Sequence, residues 1–559
     1  MTYTDKYYIV HVSGFLGGIK LNNLNSEELS IGIELGSTRI KTIAIDKKLN
    51  VRASGSFQWE NKFVDGFWTY SANDIWVGLQ QSYGAMAQDL FDKTGVTLTK
   101  VNSIGISAMM HGYLAFDNND DLLVPFRTWR NGNTKEAAKK LTDIFNFNIP
   151  ERWSIAHIYQ AILNKESHTS QVEFITTLSG YIHWYLTGEK VIGLGDASGM
   201  FPVDISTNNY RQDLLSEAQD LFATHGFGNS IESILPQVKL AGEFAGRLTE
   251  IGAKLLDPTE KLESGCILCP PEGDAATGMV ATNSITANTG NISAGTSAFA
   301  MIVLNNKLQN YYPEVDVVTT PDGKEVAMIH VNNCTSDIND WMNLFSEVLE
   351  TMGVNFLSEN MYGQIFETSL SSDDDLGGLL SYNYISGENI TDVDVGHPLF
   401  IRLPNNNFNL ANFMKMHLYS AFSTLKIGID LLQENENINL SKLIAHGGIF
   451  KTKNIAQQVL SSALQEKITV MDTASEGGAW GISILGYYAA LDEQITLEQF
   501  LNEKVFINTN EVTIEPNDKE VQNFQNYLNR MKRGLQIERD ANYYLGDDKN
   551  ARATEARSL

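Results

Sequence analysis

A chain of 559 residues is too long for one ordinary hydrophobic core, so two large lobes are expected. With 43% hydrophobic and 19% charged residues it has the composition of a packed globular protein, which excludes a disordered tail protein. The formal net charge of −26, without a local basic stripe, excludes a nucleic-acid backbone as partner and reads as a solubility property.

Tyr7 to Ile19 is mildly apolar, but His11, Ser13 and several glycines interrupt it and no basic start precedes it, so a signal peptide is not expected. No apolar run reaches the ~18 residues of a membrane span. Leu29 to Leu35 and Ile40 to Asp46 are two strand-like runs joined by a glycine-led turn, Gly36-Ser37-Thr38-Arg39. Farther on, Ile75, Leu79, Tyr83, Met86 and Leu90 share one helical face, with Asn73 or Asp74 as the cap. Ser103 to Ala108 reads as a buried strand running into Met109-Met110-His111-Gly112. A lone histidine is usually structural, yet ligands of α/β sheets gather at such strand ends.

The cysteines, Cys266, Cys269 and Cys334, are too few for a disulfide framework and point to a reducing, cytoplasmic compartment. Cys266 and Cys269 have the spacing of half a zinc site that no second pair completes. In Gly273-Asp274-Ala275-Ala276-Thr277-Gly278 the small flanks let backbone and substrate approach Asp274. That aspartate reads as a base for an attacking hydroxyl and also as an N-cap on a helix beginning at Ala275, two compatible roles. Asn288 to Leu304 repeats the first hairpin, with its turn at Gly295-Thr296-Ser297, which suggests a duplicated architecture. Ser371 to Asp375 is read as a solvated acidic loop, and Phe413, Met416, Leu425, Ile429 and Leu432 as a helical face. Leu443 to His446 is a strand entering Gly447-Gly448, and another helix begins near Asn454. The closing residues are polar, and Ala551 to Leu559, without periodicity, is expected to fray.

Strands alternating with amphipathic helices mean an α/β fold. The two glycine turns can offer backbone N–H groups to phosphate oxygens, and Glu34 supplies a carboxylate for Mg²⁺, directly or through water. There is no GxxxxGK[ST] sequence and no protein-kinase signature set, which disfavours those two phosphotransferase classes.

The chain resembles the FGGY carbohydrate kinases of the actin, hexokinase and heat-shock-chaperone ATPase superfamily, over roughly Ile31 to Tyr488. The matching segments, in order, are Ile33 to Thr38, Ser107 to Gly112, Gly180 to Gly188, Gly195 to Met200, Gly273 to Ala276, Gly295 to Ser297, His446 to Gly448, and Glu476 to Ala479. The resemblance implies two ribonuclease-H-like domains with ATP and sugar in the cleft between them. It places an unassigned N-terminal extension at 1–28, a sugar-side domain at 29–285, a nucleotide-side domain at 286–492 and a polar C-terminal segment at 493–559.

It also implies roles. Asp274 would be the general base, with Met110, His111, Trp129 and Arg130 on the sugar side. Gly36, Ser37, Thr38, Arg39, Gly295, Thr296 and Ser297 would face the phosphates of ATP. Gly447 and Gly448 would pack on the adenosine, Asn454 would stand on the adenine side, and Glu34 would reach Mg²⁺. The implied substrate is a small sugar, with pentulose kinases for ribulose or xylulose the nearest subgroup by Trp129-Arg130-Asn131 and the Pro150 to His168 stretch. Kinases for another sugar or polyol, and a non-kinase ATP-binding relative, stay open, as does a homodimer. Two departures stand out: the family usually has Asp where this chain has Glu34, and pentulose kinases commonly carry Asp where Arg130-Asn131-Gly132 stands.

Overall fold

The computed structural model describes residues 25–354, 358–452, 454–471, 477–507 and 509–545. The readings of Tyr7 to Ile19, of Glu476 and of Ala551 to Leu559 fall outside these residues.

The first lobe opens with β1 (Ser30–Leu35) and β2 (Arg39–Ile45), an antiparallel hairpin closed by the Gly36 N–H donating to the Arg39 carbonyl at 3.0 Å. β3 (Val51–Gln58) follows antiparallel to β2, and α1 (Ala72–Thr94) covers the sheet. Ser71, not Asn73 or Asp74, caps α1: its side chain accepts the Asp74 N–H, and Asn73 and Asp74 lie inside the first turn. β4 (Ser103–Ala108) lies parallel to β1, and the short β5 (Ile267–Leu268) and β6 (Glu272–Gly273) extend the sheet beyond it. Asp274 opens α2 (Asp274–Ala281).

The second lobe repeats the plan. β7 (Thr289–Ala294) and β8 (Ala298–Val303) form its hairpin, followed by β9 (Val315–Thr319), β10 (Glu325–Val331), α3 (Ser336–Thr351), α4 (Ser358–Thr368) and the long α5 (Leu410–Glu436). β11 (Lys442–His446) lies parallel to β7, and α6 (Ile455–Leu464) leads to β12 (Ile468–Met471). Then come α7 (Gly477–Ala489), β13 (Glu511–Ile514) and α8 (Asp518–Leu545). The sheets are six- and seven-stranded, ordered β5-β4-β1-β2-β3 with β6 also on β4, and β9-β10-β8-β7-β11-β12-β13. Each half thus has an antiparallel hairpin whose first strand takes a parallel neighbour after a helical crossover.

The lobes are joined by a helix that changes sides. α7 lies between β12 and β13 of the second lobe in sequence, yet it packs on β1, β4 and α2 of the first lobe. Glycines permit that approach. A Cβ on Gly32 would lie 2.0 Å from the Ala479 carbonyl oxygen, one on Gly105 2.5 Å from that of Ile482, and one on Gly481 2.1 Å from that of Thr277. Around this contact runs one core shared by both lobes, with Ile43, Met279, Met301, Met328, Trp480 and Ile484 buried together.

The polar closing segment is packed as far as Leu545. β13 pairs with β12, and α8 buries the stripe Phe524, Tyr527, Leu528 and Met531, with the Tyr527 hydroxyl donating to the Ser381 carbonyl at 3.0 Å. Its overall polarity hides an apolar face at helical spacing. The acidic stretch is a surface loop held by local bonds: Asp373 accepts from Asn412 at 2.8 Å and Asp374 pairs with Lys519 at 2.8 Å. Among the described residues, no helix is long and apolar enough to cross a membrane.

Candidate active site

Two cavities open where the hairpin turns meet. The smaller, about 360 Å³, is lined by Glu34, Ser37, Met110, His111, Trp129 and Asp274 from the first lobe. Arg152, Ser293, Ser297, Phe299, His330, His446, Gly477 and Gly478 complete its wall. The larger, about 930 Å³, is lined by Gly295, Thr296, Asn339, Tyr362, Gln364, Gly448 and Lys451 among others.

Asp274 stands at the floor of the smaller cavity as the first residue of α2, and Gly273 occupies the cap position. Its side chain is therefore not the N-cap that the local sequence allows. One carboxylate oxygen, Oδ1, accepts the backbone N–H groups of Met110 at 3.2 Å and Ala275 at 3.0 Å. The other, Oδ2, has no partner among the described residues. Burial raises the carboxyl above its ordinary range, and the two N–H groups oppose that shift. A fixed, half-satisfied carboxylate of raised basicity suits it to accept a proton.

Met110 and His111 leave β4 in a sharp turn, with His111 at φ 69° and Gly112 at φ 92°. The His111 Nδ1–H donates to the Gly199 carbonyl at 3.1 Å, because a carbonyl can only accept. Burial, reinforced by Arg152, holds the imidazole pKa well down, so the ring is neutral and Nε2 is left as an acceptor. Trp129 reaches the same cavity and its indole N–H donates to Ser37 Oγ at 3.3 Å.

Glu34 also faces this cavity. Its Oε2 accepts the Ala479 N–H at 3.1 Å, and a Cβ on Gly478 would lie 2.6 Å from Oε1, so the carboxylate is seated on the first turn of α7. Burial and the nearby Asp274 charge raise its carboxyl, while Ala479, Lys41 and Arg39 oppose them. The Glu34 side chain thus ties the first strand to the returning helix.

Not every residue expected at the site is there. Arg130 is exposed, with its guanidinium 3.9 Å above the Trp68 ring, and it lines neither cavity: the backbone turns after Trp129 and sends it outward. Of the first turn only Ser37 lines a cavity, and Gly36, Thr38 and Arg39 do not. The Gly36 N–H is spent on Arg39, as the Gly295 N–H is on the Ser297 carbonyl at 2.9 Å. The donors left open in the second turn are the N–H groups of Thr296 and Ser297, which have no partner among the described residues. Gly447, at φ 125°, passes so close to Ala294 that a Cβ would lie 2.0 Å from its carbonyl oxygen, and Gly448 lines the larger cavity. Asn454 is exposed and lines neither cavity, although its neighbour Ile455 does.

Other residues enter without a sequence signal. Arg152 pairs with Asp316 of β9 across the lobes, and Asn148 donates to the same carboxylate at 3.0 Å. His330 stacks on Phe299 at 4.3 Å, and burial lowers its pKa to about 3. In the larger cavity the Tyr362 hydroxyl donates to Asn339 at 3.1 Å. Isolated histidines, asparagines and arginines carry no local pattern, so only the fold could collect them.

Paired ribonuclease-H-like lobes around two adjoining cavities define the actin and hexokinase class of kinase fold. The chain belongs to the FGGY family of carbohydrate kinases: the model of the family's N-terminal domain matches residues 29–259 and that of its C-terminal domain residues 290–490. It is a phosphotransferase whose acceptor is a sugar alcohol group. Among similar proteins is a xylulose kinase of Haemophilus influenzae, 22% identical over 514 residues that cover 89% of this chain and 98% of that relative. The ligand-bound xylulose kinase of Lactobacillus acidophilus superposes with a TM-score of 0.75 at 16% identity, covering 92% of this chain and 98% of that one. The glycerol kinase of Plasmodium falciparum with ADP gives 0.71 at 16%, covering 91% and 98%. These structural likenesses speak for the fold alone.

Proposed function

We propose that the chain transfers the terminal phosphoryl group of ATP to the terminal hydroxyl of a ketopentose, with xylulose the first candidate. The observation that carries this reading is Asp274, fixed by two backbone N–H groups in a cavity that adjoins the larger one across the second glycine turn. The choice of sugar is supported by the xylulose kinases that match most of the chain.

In this reading the sugar lies in the smaller cavity, with hydroxyls offered to His111 Nε2 and to Arg152. Asp274 Oδ2 takes the proton of the attacking hydroxyl as its oxygen bonds to phosphorus and the bond to the leaving ADP oxygen breaks. Thr296 and Ser297 offer N–H groups to phosphate oxygens, and the α3 and α4 side chains Asn339, Tyr362 and Gln364 line the space for the nucleoside. Two carboxylates facing one cavity, Glu34 and Asp274, form an oxygen donor set that fits a hard cation, and Glu34 would hold Mg²⁺ through water. When bound, Mg²⁺ neutralises charge on the phosphoryl oxygens.

Turnover of D-xylulose, L-ribulose, L-xylulose, L-fuculose, L-rhamnulose and glycerol, read by ADP release, tests the substrate. The highest kcat/KM is expected for a ketopentose, D-xylulose first. Preference for glycerol or a six-carbon sugar would overturn that choice, and ATP turnover indifferent to every sugar would overturn the whole reading.

The raised carboxyl of Asp274 sets a second expectation. A base must be ionised to act, so kcat/KM is expected to fall as pH drops through a value above the ordinary ~3.9 of aspartate. An acidic limb centred at or below that value would remove Asp274 from the role.

A further inference from the structure

The edge between the two cavities holds a side chain that no step above uses. β7 and β11 lie side by side with Ser293 opposite His446, and each runs directly into a glycine turn. On one side of this edge Ala294, Gly295, Thr296 and Gly448 line the larger cavity, and on the other Ser293, Ser297 and His446 line the smaller one. A group handed from one cavity to the other passes over it. Among these residues only His446 has a side chain that reaches out with ring nitrogens. The imidazole is half-buried, and neither nitrogen has a hydrogen-bond partner among the described residues. Polar groups that serve the fold are normally paired, so nitrogens left unmatched at a cavity wall are available to a ligand.

We propose that His446 is a phosphoryl-contacting residue, its imidazole N–H donating to a non-bridging oxygen of the phosphoryl group as that group crosses from the nucleotide cavity to the sugar cavity. The inference rests on the kinase reading of the two cavities. Burial holds the ring pKa down to about 4, so at neutral pH it is uncharged, with one N–H to give and no buried charge to stabilise before substrate arrives. In a loose phosphoryl-transfer transition state the charge spreads over those non-bridging oxygens. A donor placed at the crossing therefore acts most strongly while transfer is under way, and it raises kcat more than affinity. The second glycine turn, which follows β7 beside it, carries the open N–H groups of Thr296 and Ser297, so the edge presents backbone and side-chain donors together.

The test compares wild type, His446→Ala and His446→Gln by steady-state kinetics with D-xylulose, by thermal melting, and by calorimetric affinity for ADP and for the β,γ-imido analogue of ATP. For His446→Ala we expect kcat to fall by roughly 10²- to 10³-fold, the range for losing one transition-state donor. The KM for sugar, the ADP affinity and the melting temperature should hold, while the preference for the triphosphate analogue over ADP shrinks. His446→Gln, which restores an N–H donor, is expected to recover part of kcat. An unchanged kcat in the alanine variant overturns the proposal, as does a parallel loss of ADP affinity and melting temperature, which marks a structural role. If wild type turns over no sugar, the kinase reading fails by itself. The ratio of analogue to ADP affinity in wild type and variant still decides whether His446 meets the third phosphate.

Discussion

Replacing Asp274 by Asn is expected to lower kcat by ~10²- to 10⁴-fold, the usual contribution of a general base, while the protein keeps its fold and its affinity for ADP. The carboxamide oxygen can still accept the Met110 and Ala275 N–H groups, so the start of α2 should stay in place. The sign of the stability change follows from the raised carboxyl. An acid whose pKa is higher in the folded state than in the unfolded one costs stability progressively as pH rises from the unfolded pKa through the folded one and carries the full cost above it, so removing its charge at neutral pH leaves the melting temperature unchanged or raises it. Steady-state rates, melting curves and ADP titrations together check this. Near wild-type turnover in a folded variant would show that another group takes the proton.

Gly481→Ala is expected to do comparable harm from outside both cavities. The added Cβ would fall 2.1 Å from the Thr277 carbonyl oxygen, an atom of the α2 backbone that cannot swing aside as a side chain can. Overpacking of this kind costs about 1–3 kcal/mol, and the melting temperature should drop accordingly. Activity should fall as well, because Thr277 sits on the first turn of α2 and its hydroxyl is shared with Ser107 of β4 at 2.9 Å. Moving α2 away from α7 moves Asp274 relative to Met110. Gly84→Ala is the control: it lies exposed inside α1 with nothing within 4 Å of the added methyl, and there alanine is expected to be neutral or mildly stabilising. If Gly481→Ala matches that control in both stability and rate, the close packing of α2 on α7 does not set the position of the base.

The hairpins, the buried strand before Met110, the start of α2 and the helix over Phe413 to Leu432 were legible because a few neighbouring residues encode each of them. Period-two runs of Ile and Leu, glycine-led turns and helical spacing are local signals. The same locality explains the errors. Asn73 and Asp74 compete with Ser71 for one cap, and only the path of the chain into α1 chooses between them. Asp274 carries the sequence signature of an N-cap, yet Gly273 takes the cap position and leaves the carboxylate free to accept from Met110, 164 residues earlier in the chain. Trp129 and Arg130 are neighbours in sequence, and the backbone turns one into the cavity and the other onto Trp68. Average polarity concealed α8, whose apolar stripe is a minority of its residues.

By itself the sequence determined the duplicated strand and turn units and the aspartate among small residues, since these depend on side-chain periodicity and on the steric freedom of glycine over short spans. The tertiary structure alone decided that α7 returns to the first sheet and that Glu34 is seated on it. It also decided that Arg152, His330 and His446 share a cavity with Asp274. Those pairings join residues from 56 to 445 positions apart, and they follow from where glycine-lined surfaces let backbones meet, which no local pattern records.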